Sequence, residues 1–299
     1  MKKCLYIFVV LTAISCRKEI EFKLPPGTQS LVVNSNLCND SLIGLRLTYT
    51  QAINDNSAII TENNATIELF NKDSVLLEKI TSSQNGFYQT ITTKAKSSTC
   101  YLLKISTPQS IFWMKDSCPG VCLGSILKVD STIFQGKANF YRIKFQLKDL
   151  QTCTNYYGLK MKHTYESYTI GIGGKVDTLL TEEWIDVETN DPLLTQDENN
   201  KFTKKHLLFN DAFFNNNTIN FSFGTSLIAN SNTRKTKQLS IDLEQYSSDA
   251  YQFYTTLFEH MFYQNDPFSQ PTLVKGNING AYGSFGGKNI NRTLILFKY

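Results

Sequence analysis

ATIELFNKDSVLLEKITSSQNGFYQT (residues 65–90), followed shortly by CYLLKIST (100–107), decides the fold class. In Thr66-Ile67-Glu68-Leu69-Phe70 polar and apolar side chains alternate, and residues 101–105 repeat the pattern. A period of two puts alternate side chains on opposite faces, so these segments read as strands with one face buried. Asn85-Gly86 is a hairpin signal, because both residues take positive φ readily. Similar runs stand at 30–35, 43–50, 76–81 and 86–92, separated by Asn- and Asp-rich breaks. That spacing is expected of an all-β sandwich.

Working outward, the order of strand, variable hairpin, Gly-Phe-Tyr strand and Tyr-X-Leu strand resembles the small Ig-like or transthyretin-like modules of bacterial surface proteins. The expected fold is mostly β, with an N-terminal Ig-like/transthyretin-like β-sandwich at 29–115. A larger antiparallel β domain follows at 116–299, with strands expected at 126–134, 139–147, 156–165, 175–186, 217–223, 237–242 and 292–297. One amphipathic helix interrupts them near 247–262. Ser247 or Ser248 can cap it, and Ala250, Tyr251, Tyr254, Leu257, Phe258 and Met261 recur at helical spacing. Gly276, Gly280, Gly283, Gly286 and Gly287 crowd the segment after the helix, which reads as a tightly turned structural corner. A phosphate cradle is rejected because no Gly-X-X-X-X-Gly-Lys-Ser/Thr string exists.

The N-terminus reads as an export signal. Met1-Lys2-Lys3 is basic, residues 5–14 are mainly apolar, and small residues lead to Cys16. The apolar stretch falls short of the roughly 20 residues that span a bilayer. Residues 1–15 are therefore expected to be a lipoprotein signal peptide, with Cys16 lipidated at its thiol. Residues 16–28, ending in Pro25-Pro26-Gly27, form the expected tether. Arg17-Lys18-Glu19-Ile20-Glu21 resembles the short charged signals that send lipoproteins of the Bacteroidota to the cell surface.

Loss of Lys2 and Lys3 with the leader leaves 28 basic against 26 acidic residues, a balance that gives no electrostatic case for nucleic acid. Fifteen Tyr and twenty Phe, with abundant Asn, Thr and Ser, favour strands and turns. In an oxidising compartment disulfides are plausible, and Cys118-Pro-Gly-Val-Cys122 is the best local pair, a Pro-Gly turn bringing Cys118 and Cys122 together. A metal site there lacks a second pair and a nearby His.

Six ordered segments carry a family resemblance: VVNSNL (32–37); the module quoted above; FQLKDLQTCTNYYGLKM (145–161), with Asp149, Asn155, Tyr156 and Tyr157; LLFNDAFFNNNTINFSF (207–223), with Asp211, Phe213 and Phe214; LEQYSSDAYQFYTTL (243–257); and DPFSQPTLVKGNINGAYGSFGG (266–287), with Pro267 and Pro271. Together they resemble domain-of-unknown-function family 4249, outer-membrane lipoproteins of the Bacteroidota. The resemblance implies an accessory lipoprotein of a TonB-dependent transporter, lipid-anchored in the outer membrane and facing the exterior. It implies no reaction, cofactor or catalytic residue.

The residues themselves do not favour an enzyme. His163 and His206 follow lysines, as exposed strand ends would, and His260 after Glu259 lacks a second His four residues on. No Gly-X-Ser-X-Gly elbow occurs. Glu182-Glu183 and Asp197-Glu198 are adjacent acids, which a strand would point to opposite faces. The expected function is non-catalytic: ligand capture, gating or assembly beside the transporter. A direct glycan or peptide binder using Tyr156, Tyr157 or Phe213 is the alternative, and a hydrolase with an unrecognised site comes third. Asp-Ser/Thr-apolar triplets at Ser41, Ser74, Ser131 and Thr178 resemble a Bacteroidota O-glycosylation motif and are candidate modification sites.

Overall fold

The computed structural model describes residues 29–297, except 53–54, 56, 81–83, 135–136, 150–152, 171–175, 196–202, 228–232, 265, 267 and 271. At 132–134, 137–139 and 170 it describes the backbone alone. Cys16, the leader and tether, Asp197, Glu198, Pro267 and Pro271 lie outside the described residues.

The fold is mostly β, as expected, and is built from three sheets. Strands β1 (Leu31–Cys38), β2 (Leu42–Tyr49), β3 (Thr66–Asn71), β4 (Leu76–Ile80), β5 (Phe87–Lys94), β6 (Thr99–Ser106) and β7 (Ile111–Cys118) come first. Then come β8 (Leu123–Phe134), β9 (Lys137–Lys148), β10 (Tyr156–Ile170), β11 (Val176–Ile185), the short α1 (Pro192–Thr195), β12 (Leu207–Asn210) and β13 (Thr218–Ser226). Strand β14 (Arg234–Tyr246), helix α2 (Ser248–Tyr263) and β15 (Tyr282–Leu296) close the chain. The largest sheet has the order β11-β10-β14-β15-β1-β2-β5, with β12 also paired to β10. The smaller sheets are β4-β3-β6-β7 and β13-β9-β8.

The two larger apolar cores lie on one face of the large sheet. Val33, Leu37, Leu45, Leu47 and Phe285 pack against Ile67, Leu69, Leu103 and Ile105 of the four-stranded sheet. Leu159, Met161, Leu239, Ile241 and Leu243 pack against Ile143, Phe145, Leu147, Phe221 and Phe223 of the three-stranded sheet. The alternate side chains of the large sheet point the other way, and this second face is mainly polar. Helix α2 lies across it. The expected helix is present, its N-terminus capped by Ser247, whose hydroxyl accepts from the Ala250 amide at 3.2 Å. Asn85 (φ 53°) and Gly86 (φ 73°) form a tight turn between Gln84 and Phe87, but the expected hairpin is corrected: β4 pairs with β3 and β5 with β2, so the turn passes the chain from one sheet to the other.

The cores divide between β7 and β8, close to the 115/116 boundary, but the sheet does not. Strand β15 runs parallel to β1 and antiparallel to β14, contributing Phe285 to the first core and Ile295 to the edge of the second. Residues 282–287, read as part of a loop corner, are therefore a central strand. Glycine there serves close backbone approach: a Cβ on Gly287 would stand 1.9 Å from the Ser117 carbonyl oxygen. On Gly283 (φ 97°) it would stand 2.0 Å from that of Val33.

The Cys118–Cys122 bridge is corrected by the structure, in which both are free, buried thiols. The Pro-Gly segment carries the chain from one core to the next instead of reversing it. Cys118 Sγ contacts the Lys288 carbonyl and Cys122 Sγ that of Leu243, each at 3.5 Å. Burial pushes both thiols up to about 12.

Candidate functional site: a cleft beside helix α2

The polar face forms a cleft of about 490 Å³ over β1 and β2. Pairing registers set its floor in rows. Ser284, Asn34, Arg46 and Phe87 stand abreast on β15, β1, β2 and β5. Gly286, Asn36 and Gly44 form the next row, and Lys288 beside Cys38 the one after. Asn34, Asn36 and Arg46 are exposed because β1 and β2 alternate, their odd-numbered neighbours filling the first core.

Glycines admit the walls. On one side the Phe87 ring lies over Gly44, where a Cβ would stand 3.2 Å from it. On the other, a Cβ on Gly286 would stand 2.8 Å from Ala250 Cβ, so the helix seats directly on β15. Phe253 and Tyr254 of the same helix complete that wall. A trench is left between two aromatic walls, floored by amides.

Beneath the helix lies a buried charge group. Glu244 is 0% exposed; its Oε1 accepts from Lys160 at 2.8 Å and Lys288 at 3.3 Å. His206 Nε2 lies 3.3 Å from Glu244 Oε2 and 2.9 Å from the Tyr246 hydroxyl, which also donates to Glu244. Burial pushes the Glu244 carboxyl up, but the His206 bond and the charges of Lys288 and Lys160 outweigh it and hold it well below the usual carboxylate range. Burial also lowers His206, and Glu244 only partly offsets this. Gly158 leaves room for this ring, as a Cβ there would stand 2.7 Å from Nε2.

A second junction ties the helix to the first sandwich. Asp116 Oδ2 accepts from Ser247 Oγ at 2.5 Å and the Gly287 amide at 2.7 Å. Burial pushes Asp116 up to about 6, in spite of these bonds.

The motif residues prove to be internal supports. Asn155 Nδ2 donates to Asp149 at 3.2 Å and Asp211 at 3.0 Å, and its Oδ1 accepts from Gln245 at 2.8 Å. Tyr157 is buried with its hydroxyl on Asp149, and the Tyr156 ring packs against Tyr251, tilted by 30°, at 4.7 Å between centroids. Phe213 alone of the three proposed binding aromatics is open, at 70%. The cleft aromatics Phe87 and Phe253 escaped the sequence reading, since nothing local distinguishes them from core residues. His163 and His206, expected at exposed strand ends, are both buried. His163 lies 3.1 Å from Thr236 Oγ1 and 3.5 Å from a Glu183 oxygen. Ser41, Ser74, Ser131 and Thr178 are all exposed. Among the described residues no cluster of three or more His, Cys, Asp or Glu could hold a metal, and no helix is long and apolar enough to cross a membrane.

No curated protein matches the chain. Among solved structures, a membrane-anchored protein from Corynebacterium diphtheriae aligns at 10% identity and TM-score 0.20, over 75% of this chain and 56% of that one. The chain thus spans little more than half that protein's length. The Enterococcus faecalis MSCRAMM ACE, described as binding its ligands by a collagen hug, aligns at 9% identity and TM-score 0.18, over 88% of this chain and 96% of that one. Neither likeness is strong enough to carry an argument. The sequence speaks more plainly: residues 17–293 match the family described as Domain of unknown function (DUF4249), and the chain belongs to that family.

Proposed function

We propose that this chain is a non-catalytic lipoprotein, anchored through Cys16 in the outer membrane of a member of the Bacteroidota and facing outward. It captures a ligand in the cleft beside α2 and presents it to a TonB-dependent transporter. The observation that carries the capture role is the cleft itself: exposed amides on a rigid strand floor between aromatic walls, the make-up of a recognition site. Two of the three histidines that a hydrolase could use, His163 and His206, are spent elsewhere. Both lie near carboxylates, but His206 is buried under the helix and its acid is paired with two lysines, while His163 is held in the sheet. The anchor and the transporter rest on the leader and on the family resemblance. Purification of the native protein in mild detergent should bring down a large barrel protein, and labelled palmitate should enter the chain. Recovery as a lone, unlabelled species would refute the reading.

A further inference from the structure

The cleft lining contains two cations, Arg46 and Lys288, and no carboxylate. Arg46 is exposed and makes no ion pair among the described residues. Lys288 shares the single charge of Glu244 with Lys160, so the group beneath the helix carries one positive charge in excess. Both ends of the trench therefore attract an anion. By strand spacing, the Cα positions of the two residues stand roughly 16 Å apart along its diagonal.

The remaining lining narrows the chemistry. Asn34 and Asn36 present side-chain amides on one face of β1, each able to donate and accept. The Ser284 hydroxyl, in the row of Asn34 and Arg46, is buried with no hydrogen-bond partner among the described residues. Phe87, 49% exposed, offers a ring to one side, and Phe253 and Tyr254 offer rings to the other. This lining suits an anionic, hydroxyl-rich ligand with apolar C–H faces to set against the rings. An extended peptide fits less well: β1, which carries Asn34 and Asn36, is hydrogen-bonded on both sides, by β15 and β2, so a strand cannot join it.

We propose that the cleft binds an acidic saccharide, with a uronic-acid carboxylate on the Arg46 guanidinium, hydroxyls on Asn34 and Asn36, and a sugar ring against Phe87. This rests on the capture reading above and gives it a ligand class. Arg46 supplies the planar fork that a carboxylate matches in two parallel bonds.

The test is calorimetric titration of the detergent-purified full chain with short oligomers of galacturonate, mannuronate and hyaluronan. The methyl ester of the galacturonate oligomer serves as uncharged control, and an oligoglutamate as acidic peptide. At least one acidic oligosaccharide should bind, its ester at least about tenfold more weakly, and Arg46→Gln should cost a similar factor. Arg46 is exposed, so R46Q should melt with the wild type, and Phe87→Ala should also weaken binding. No binding of any acidic oligosaccharide at millimolar concentration overturns the proposal. So does equal binding of acid and ester, undiminished binding by R46Q, or tighter binding of oligoglutamate. Barrel co-purification, measured on the same preparations, separates the two readings. Saccharide binding without a barrel refutes only the transporter role, and a barrel without saccharide binding refutes only the ligand class.

Discussion

Replacing Glu244 by glutamine keeps the side chain's shape and removes the one negative charge that Lys160, Lys288 and His206 share. The carboxylate has no exposed surface, and its lysine partners are 19% and 14% exposed. Breaking a buried ion pair by deleting one member costs about 3–5 kcal/mol, because the surviving charge is left without compensation. Here two ammonium groups are stranded, and the amide accepts from them more weakly than the carboxylate. The expected loss for E244Q at pH 7 is at the upper end of that range. The pH dependence follows from the direction of the shift. Glu244 has a folded pKa below its unfolded value near 4.5, so its contribution is present above pH 4.5 and is lost as pH falls below it. The gap between wild type and E244Q should therefore be wide at pH 7 and narrow on acidification below 4.5. A second substitution tests the mechanism. Lys288→Met should destabilise the wild type but cost less, or even help, in the E244Q background, giving a non-additive cycle. Urea melts followed by tryptophan fluorescence suit the measurement, since Trp184 stands 4.9 Å from the Lys160 ammonium. An E244Q variant within about 1 kcal/mol of wild type at pH 7, or additive effects of the two changes, would refute the reasoning.

Other outcomes follow from the same geometry. Asp116 has a folded pKa of about 6, raised above its unfolded value, so its contribution is complete below pH 3.8 and is lost as pH rises through 6; the change is roughly 3 kcal/mol. Urea midpoints between pH 4 and 7 should show it, and Asp116→Asn should flatten that part of the profile. Gly287→Ala would drive a methyl into the Ser117 carbonyl, so a loss of at least about 3 kcal/mol is expected in thermal melts. Mass spectrometry after iodoacetamide should find Cys153, which is exposed, labelled in the native protein. Cys118 and Cys122 should label only after unfolding without reductant, and their failure to do so would restore the disulfide.

How much the sequence revealed depended on whether a segment's periodicity was simple. Residues 65–71 and 101–106 alternate cleanly because one face meets the first core and the other meets water, and they fold as read. Helix α2 was legible from its cap and from apolar residues at helical spacing. Strand β7 escaped because its buried face runs Met114, Asp116, Cys118, and an acid in the middle interrupts an apolar pattern. Asp116 is buried for its bonds to Ser247 and Gly287, which lie more than 130 residues away, and no local pattern carries that information. The start of β15 was hidden for another reason. Its glycines let neighbouring backbone approach and carry no side chain that could alternate.

The cleft combines these blind spots, and for that reason its function was the least legible part. Its floor is drawn from the first and last strands of the fold, which pair in parallel and lie about 250 residues apart in sequence. Its walls depend on what Gly44 and Gly286 lack. Asn34, Asn36 and Arg46 look in the sequence like the solvated side of an ordinary half-buried strand, and on an isolated sandwich they would be only that. What turns them into the floor of a cleft is helix α2 arriving on the same face, seated by Gly286 and tied down by Asp116 through Ser247. The helix is thus held by groups from both halves of the chain, and lifting it should open the trench and weaken ligand. Gly286→Val tests this: a side chain there must lift Ala250, whose Cβ lies 2.8 Å from the position a Cβ would take. Saccharide affinity should fall by at least as much as in R46Q, about tenfold, while the apolar cores on the opposite face stay packed. Unchanged affinity in a variant that still folds would mean that α2 is not a wall of the site.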